Sequence, residues 1–218
     1  MIETYETLID HFLDHANPKR WSNKPIDTGN HIYATDGHAW LKLSKEKISI
    51  DVLPTDKDEK FFDGVINRKE ICTETIGVGA KSVEIALEPF DKVSQTIPCK
   101  ICEGTGTLIC DHCESEYSCE KCSGLGEISD HSKPMVYEDW EYDKAIRIGK
   151  NFVSPFQIGR LQRVMHFENA EKILLTSNRT NKPLVFQFPS GIEVVIMPLD
   201  YESTREHKGN KFSDLYLN

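Results

Sequence analysis

Seven cysteines stand in this 218-residue chain, and six of them fall into CxxC pairs: Cys99/Cys102, Cys110/Cys113 and Cys119/Cys122. Two of the pairs head matching knuckles, Cys99-Lys100-Ile101-Cys102-Glu103-Gly104-Thr105-Gly106 and Cys119-Glu120-Lys121-Cys122-Ser123-Gly124-Leu125-Gly126. Each CxxC offers two soft sulfurs from one tight turn, and Zn2+ accepts four thiolates tetrahedrally with little directional preference of its own. The glycines that follow allow turns that residues bearing a Cβ resist, so one pair can fold back to face the other. Cys99, Cys102, Cys119 and Cys122 are therefore the expected ligands of one Zn2+. Four thiolates leave no position for water, so the site is structural and not catalytic.

Cys110-Asp111-His112-Cys113 keeps the cysteine spacing without the glycines. Four readings stay open for it: a second metal site completed by His112 or His131, a redox-active pair, a replacement for one knuckle in another single-zinc arrangement, or thiols without a role. A thioredoxin-like dithiol would want a helix N-terminus beside a parallel sheet, and the surrounding sequence supplies neither. The seventh cysteine, Cys72, reads as a small core side chain. Paired CxxC motifs suit a reducing compartment better than a disulfide scaffold does. The opening MIETYETLIDHF carries charges early, and no stretch approaches membrane-spanning length, so a cytoplasmic setting with no membrane contact is expected.

Other polar groupings carry less chemistry. Asp36 and His38 sit beside Gly37, and Asp-Gly is a hairpin-turn signal that needs no catalytic explanation. Asp10, His11, Asp14 and His15 have helical spacing but lack the HExxH pattern of a zinc enzyme, and they read as a solvated helix face. No motif assembles a catalytic constellation, so the chain is read as non-enzymatic. Lys and Arg total 26 against 35 Asp and Glu, a formal charge of −9 that excludes a uniformly basic nucleic-acid coat. A local basic group remains, Lys150, Arg160 and Arg163, as candidate phosphate contacts against the alternative of a solvated surface. Trp21, Trp40 and Trp140 lack interleaved basic residues and read as core or interface side chains.

The elements that must position these groups follow from periodicity. Tyr5, Leu8, Ile9, Phe12 and Leu13 predict a helix from Glu3 to Ala16, halted by Asn17-Pro18. The run from Asn30 through Trp40 and Leu43 predicts a strand, a turn at Asp36-Gly37 and a second strand, while Asp51 to Lys60 reads as a loop. Ile71–Ile76 and Ser82–Leu87 predict another hairpin around Gly77 and Gly79. Lys144–Lys150 reads as a strand. Ser154 caps a helix with Pro155 in its first turn and Phe156, Ile158, Leu161, Val164 and Met165 on its apolar face. Strands are expected at 170–176, 184–188 and 193–197, then a polar tail. The expected organisation is 1–97 and 131–200 as two halves of one body, 98–130 as an inserted finger poor in apolar residues, and 201–218 as the tail. Helix plus antiparallel strands occurs twice, an α+β layout with a hint of duplication.

The finger resembles the cysteine-rich domain of DnaJ (Hsp40) chaperones, whose knuckles read CxxCxGxG. Residues 99–106 and 119–126 fit that form fully. The family uses four knuckles for two zincs, whereas this chain has complete ligands for one, and no His-Pro-Asp hairpin of a J-domain precedes it. The flanks resemble a domain of the bacterial DNA polymerase sliding clamp: Ala34-Thr35-Asp36-Gly37-His38 matches its ATDGH turn, Val195-Ile196-Met197-Pro198-Leu199 its terminal strand, Phe152–Leu161 occupies the place of its second helix, and Pro183-Leu184 resembles the entry to its penultimate strand. The clamp resemblance implies one DNA-clamp-like domain of two helix-plus-antiparallel-sheet halves, with a sheet outside and two helices inside facing DNA. A clamp ring has six such domains, so a ring would need six copies of this chain. It implies a module acting in DNA-associated assembly through weak, sequence-independent duplex contact or a replication partner. The alternative is a zinc-stabilised protein-interaction or scaffold module with no DNA binding. Oligomeric state is open in both.

Overall fold

The computed structural model describes residues 4–15, 24–48, 53–54, 75–110, 112–133, 135–137, 144–177, 180–199 and 211–217. Among them the chain divides into two compact units, one built from 1–90 with 139–218 and the other from 91–138. Trp21, Cys72, Trp140 and most of the Asp51–Lys60 segment lie outside the described residues.

In the larger unit, helix α1, Tyr5–Asp10, starts at Thr4, whose hydroxyl accepts the Thr7 N–H while the Thr7 hydroxyl accepts the Thr4 N–H. It is shorter than the apolar spacing predicts. Phe12 N–H bonds Ile9 O and Leu13 N–H bonds Asp10 O, three residues back, so the last turn tightens instead of continuing as α-helix. The predicted apolar set is nevertheless inward, with Leu8, Ile9, Phe12 and Leu13 all buried.

The strand–turn–strand at the Asp36-Gly37 corner forms as expected, His31–Thr35 pairing antiparallel with Ala39–Ser44. It sits inside an eight-stranded sheet ordered Leu53–Pro54, Ile26–Asp27, His31–Thr35, Ala39–Ser44, Glu193–Ile196, Leu184–Gln187, Lys172–Ser177 and Ile76–Gly79. The two sequence halves share this sheet, because Ala39–Ser44 pairs with Glu193–Ile196. On one face Ile26, Tyr33, Trp40, Val185 and Val195 form a core cluster.

Ser82–Leu87 departs from expectation. Ile76–Gly79 is a strand, but the chain then enters helix α2, Ala80–Leu87, instead of returning as a hairpin. Val83, Ile85 and Leu87 alternate in sequence and imitate a strand. In the helix Val83, Ala86 and Leu87 are buried, the i, i+3, i+4 set, while Ile85 is left 42% exposed. Helix α3, Pro155–Phe167, forms as read: Ser154 Oγ accepts the Gln157 N–H, and Pro155 occupies the first turn. The expected polar tail also needs correction. Lys211–Asp214 is a strand that pairs in parallel with Lys144–Ile148, itself paired with Asn151–Val153, and Leu215 beyond it is 3% exposed. Arg147 Nε reaches Asp214 Oδ1 at 2.6 Å across that pairing. No helix of the described residues is long and apolar enough to cross a membrane.

Candidate metal centre

Residues 91–138 make a long finger of paired short strands. Lys92–Val93 pairs with Val136–Tyr137, and Thr96–Pro98 pairs with Glu127–Ser129. The chain then passes through the first knuckle, up Thr107–Ile109, around a turn holding Cys110 and Cys113, down Glu116–Ser118, and through the second knuckle. The knuckles are related by a twenty-residue offset, and their hydrogen bonds repeat one another. Gly104 N–H bonds Cys99 O and Gly124 N–H bonds Cys119 O. Cys99 N–H bonds Gly126 O at 2.7 Å and Cys119 N–H bonds Gly106 O at 2.8 Å, so each knuckle is pinned to the other through its last glycine.

This reciprocal pinning brings the sulfurs together. Cys99 and Cys119 Sγ lie 3.9 Å apart, Cys102 and Cys122 Sγ 3.7 Å apart, and all four fall within 4.8 Å of one another. Tetrahedral zinc with Zn–S of about 2.3 Å requires sulfurs about 3.8 Å apart. The cluster has the size and donor set for Zn2+, and among the described residues it is the sole group of three or more candidate ligands. Gly106 N–H donates to Cys102 Sγ and Gly126 N–H to Cys122 Sγ, each at 3.3 Å, which stabilises charge on the sulfur. Burial pushes the Cys102 thiol up, but the Gly106 and Gly104 amides and the Cys122 and Cys99 sulfurs outweigh it and bring it to about 7. Burial pushes Cys119 up to about 11. One thiolate is thus available near neutrality, while a metal must displace the Cys119 proton.

The glycines do more than turn the chain. A Cβ on Gly106 would stand 2.3 Å from Gly124 O, and one on Gly126 would stand 2.4 Å from Gly104 O. The knuckle backbones therefore touch, and only hydrogen fits between them. The CxGxG spacing signals this contact, although the sequence reading used the glycines only for turning. Thr105, which no sequence motif singles out, places its hydroxyl between two carbonyls that can each accept its one proton, Cys102 O at 2.7 Å and Thr107 O at 2.8 Å.

Cys110 and Cys113 sit apart from this cluster at the finger tip, Cys113 exposed and Cys110 half-buried. His112 and His131 are both exposed, and neither gathers with the pair into a group of three ligands. The four-sulfur cluster is made by Cys99, Cys102, Cys119 and Cys122, with no part in it for Cys110 or Cys113.

The basic group expected to meet phosphate is placed differently in its three members. Lys150 is exposed at the turn between Lys144–Ile148 and Asn151–Val153. Arg160 does not form part of a solvated surface: it is 8% exposed, its guanidinium pairs with the Asp36 carboxylate, and Nη1 lies 3.2 Å from Gln157 Oε1. Its Cζ stands 4.4 Å from the Phe156 ring centre and 5.3 Å from that of Phe12. Arg163 is half-buried, with Nη1 2.8 Å from His11 Nε2. Burial alone would raise the Asp36 carboxyl, but the Arg160 charge and the amides of Ala39 and His38 hold it below the usual range. No sequence signal links Asp36 to Arg160, 124 residues away. His15 Nε2 lies 3.0 Å from Asp10 Oδ1, an exposed pair on the helix that the sequence reads as solvated.

No family model matches the chain, and no curated protein matches it. Several solved structures are similar in fold. A putative DNA polymerase III beta subunit from Eubacterium rectale has a TM-score of 0.45 at 9% identity, with 89% of this chain covering 61% of that one. A beta sliding clamp from Caulobacter crescentus has a TM-score of 0.45 at 11% identity, covering 88% of this chain and 62% of that one. A sliding clamp from Pseudomonas aeruginosa has a TM-score of 0.42 at 12% identity, with 88% and 63% covered. The chain thus spans less than two thirds of the length of these structures.

Proposed function

We propose that the protein is a non-enzymatic assembly module, a zinc-pinned finger carried on an α+β body that resembles a sliding-clamp domain, and that it holds a protein partner in a DNA-associated setting. The closed four-sulfur cluster carries this reading. With every tetrahedral position filled by thiolate, the metal organises the chain and presents no site to substrate. Between the two knuckles and the tip, the finger leaves four large apolar side chains in solvent: Ile101, Ile109, Tyr117 and Leu125 are 61%, 64%, 51% and 80% exposed. Large apolar side chains gathered on one small unit suit protein docking.

Direct duplex contact is the second reading, favoured by the exposed Lys150. It has less charge to draw on than the sequence suggests, because Arg160 is engaged with Asp36 and Arg163 with His11. The test uses the tagged full chain crosslinked in its own host beside an Ile101→Glu/Leu125→Glu variant, with zinc content measured in both. A defined partner should be recovered with the native chain and drop at least about tenfold with the variant at unchanged zinc, about 1.4 kcal/mol of lost contact. Equal recovery would remove the finger from binding. Fluorescence anisotropy with a labelled duplex should give affinity weaker than the ~10⁻⁴–10⁻⁶ M of ordinary non-specific binders. Micromolar binding that falls steeply with salt and is weakened by Lys150→Ala would instead make DNA the principal ligand.

A further inference from the structure

The turn at the finger tip shares one backbone feature with the two knuckles. In all three CxxC segments the residue after the second cysteine adopts a left-handed conformation, at φ 51° for Glu103, 54° for Glu114 and 52° for Ser123. Non-glycine residues adopt this conformation infrequently, and its recurrence at one position of three CxxC turns points to a shared geometry. The tip is closed by Glu114 N–H to Cys110 O at 2.9 Å and Cys110 N–H to Ser115 O at 3.0 Å. Cys113 Sγ lies 2.7 Å from Ser115 Oγ. Hydrogen bonds from the Ser115 hydroxyl and amide hold the Cys113 thiol below its ordinary value.

The tip thus presents two sulfurs from one CxxC turn, and among the described residues nothing within the chain joins them as a third ligand. Zinc asks for four donors. The paired knuckles at 99–106 and 119–126 display the solution within one chain: two equivalent CxxC turns related by an approximate two-fold enclose one ion. Two equivalent tips on two chains can do the same, since a two-fold axis brings one patch against its own copy. Of the residues around the pair, His112, Glu114, Ser115, Glu116 and Tyr117 are exposed, so the tip projects into solvent where a second copy can reach it.

We propose that Cys110 and Cys113 form half of a second zinc site, completed by the same two cysteines of a second copy, so that zinc joins two chains tip to tip. This goes beyond the assembly role proposed above and does not depend on which partner that role involves. The ion binds as Zn2+ to four thiolates, releasing to solvent the protons those thiols carried, with no change of oxidation state.

Native mass spectrometry of the reduced full-length protein, with zinc titrated in, tests it. The expected species is a dimer carrying three zincs, one in each Cys99/Cys102/Cys119/Cys122 cluster and one shared, and the Cys110→Ser/Cys113→Ser variant should give monomers carrying one zinc each. Retention of that one zinc shows that the variant finger is folded. A native monomer that never exceeds one zinc, a monomer that takes two, or a dimer that survives the double substitution would each overturn the proposal. So would recovery of the Cys110–Cys113 pair as a disulfide under the same reducing conditions. Any of these leaves the structural cluster, and the reading built on it, untouched.

Discussion

Alanine at Gly106 separates two costs that the knuckle glycines carry. Gly104 and Gly106 have nearly the same left-handed backbone, φ 86° and 79°, so alanine at either suffers the same conformational penalty, about 1–2 kcal/mol. Their surroundings differ. A Cβ on Gly104 meets nothing nearer than Pro98 Cβ at 3.6 Å, an ordinary contact, whereas a Cβ on Gly106 stands 2.3 Å from Gly124 O and 3.0 Å from Gly124 C. The obstacle is backbone, so the knuckles must part for the methyl to fit. Overpacking costs about 1–3 kcal/mol, and parting the knuckles also moves Gly106 N–H from Cys102 Sγ and Cys119 N–H from Gly106 O. Gly106→Ala should therefore weaken zinc binding about tenfold to a hundredfold beyond Gly104→Ala, since about 1.4 kcal/mol is a factor of ten. Competition with a chromophoric chelator at fixed pH reads the ratio directly. The Gly126→Ala and Gly124→Ala pair should repeat the result from the other knuckle, because the Gly126 Cβ would lie 2.4 Å from Gly104 O and the nearest atom to a Gly124 Cβ is at 3.5 Å. Equal affinities for Gly104→Ala and Gly106→Ala would refute the close approach of the two backbones, and with it the reciprocal geometry of the site.

Further outcomes follow from the charges and the metal. Arg160→Ala should destabilise the body by about 3–5 kcal/mol in urea unfolding, because it leaves the Asp36 carboxylate, 14% exposed, without its partner. The Asp36→Asn/Arg160→Met pair should lose much less, and an equal loss would deny the coupling. The Asp36 carboxyl is held low in the folded protein, so its contribution is complete above the unfolded value of about 3.9 and disappears as pH falls through the folded one; Asp36→Asn should flatten stability against pH in that acid window alone. Zinc should be released as pH falls, because protons compete for thiols that stand at about 7 for Cys102 and about 11 for Cys119 in the metal-free cluster. A chelator or Cys119→Ser should then abolish amide-exchange protection across 91–138, where the buried apolar side chains are the four ligand cysteines themselves, while 184–196 stays protected. Persistent protection of the finger without metal would remove zinc from its folding.

Each knuckle is legible in the sequence because its ligand spacing and turn glycines lie within eight residues, and the same pattern returns twenty residues further on. Helix α3 was legible for the same reason, with Ser154, Pro155 and the apolar series all local. The failures came where local pattern was ambiguous or the decisive partner was distant. Val83, Ile85 and Leu87 fit a strand as well as a helix, and only the burial of Ala86 instead of Ile85 decides between them. Lys211–Asp214 is polar and short, and it becomes a strand through parallel pairing with Lys144–Ile148, some distance back along the chain. No window of sequence contains both.

The Asp36 turn shows how such distance alters a functional reading. Its sequence, ATDGH, is one of the segments that carry the resemblance to a clamp domain, and the sequence offers Arg160 as a candidate phosphate contact. In the folded chain Asp36 Oδ1 accepts the His38 and Ala39 amides at 2.8 and 2.9 Å, fixing the corner, while Oδ2 takes the Arg160 guanidinium. Phe12 and Phe156 stand near that guanidinium, and its remaining contact includes Gln157. An arginine so placed ties the α1 end, the Asp36 corner and α3 together, and giving it to a phosphate would strand a carboxylate with little access to water. Asp36 and Arg160 are thereby accounted for by the architecture of this body, and of the three basic residues expected to meet phosphate only Lys150 stands exposed.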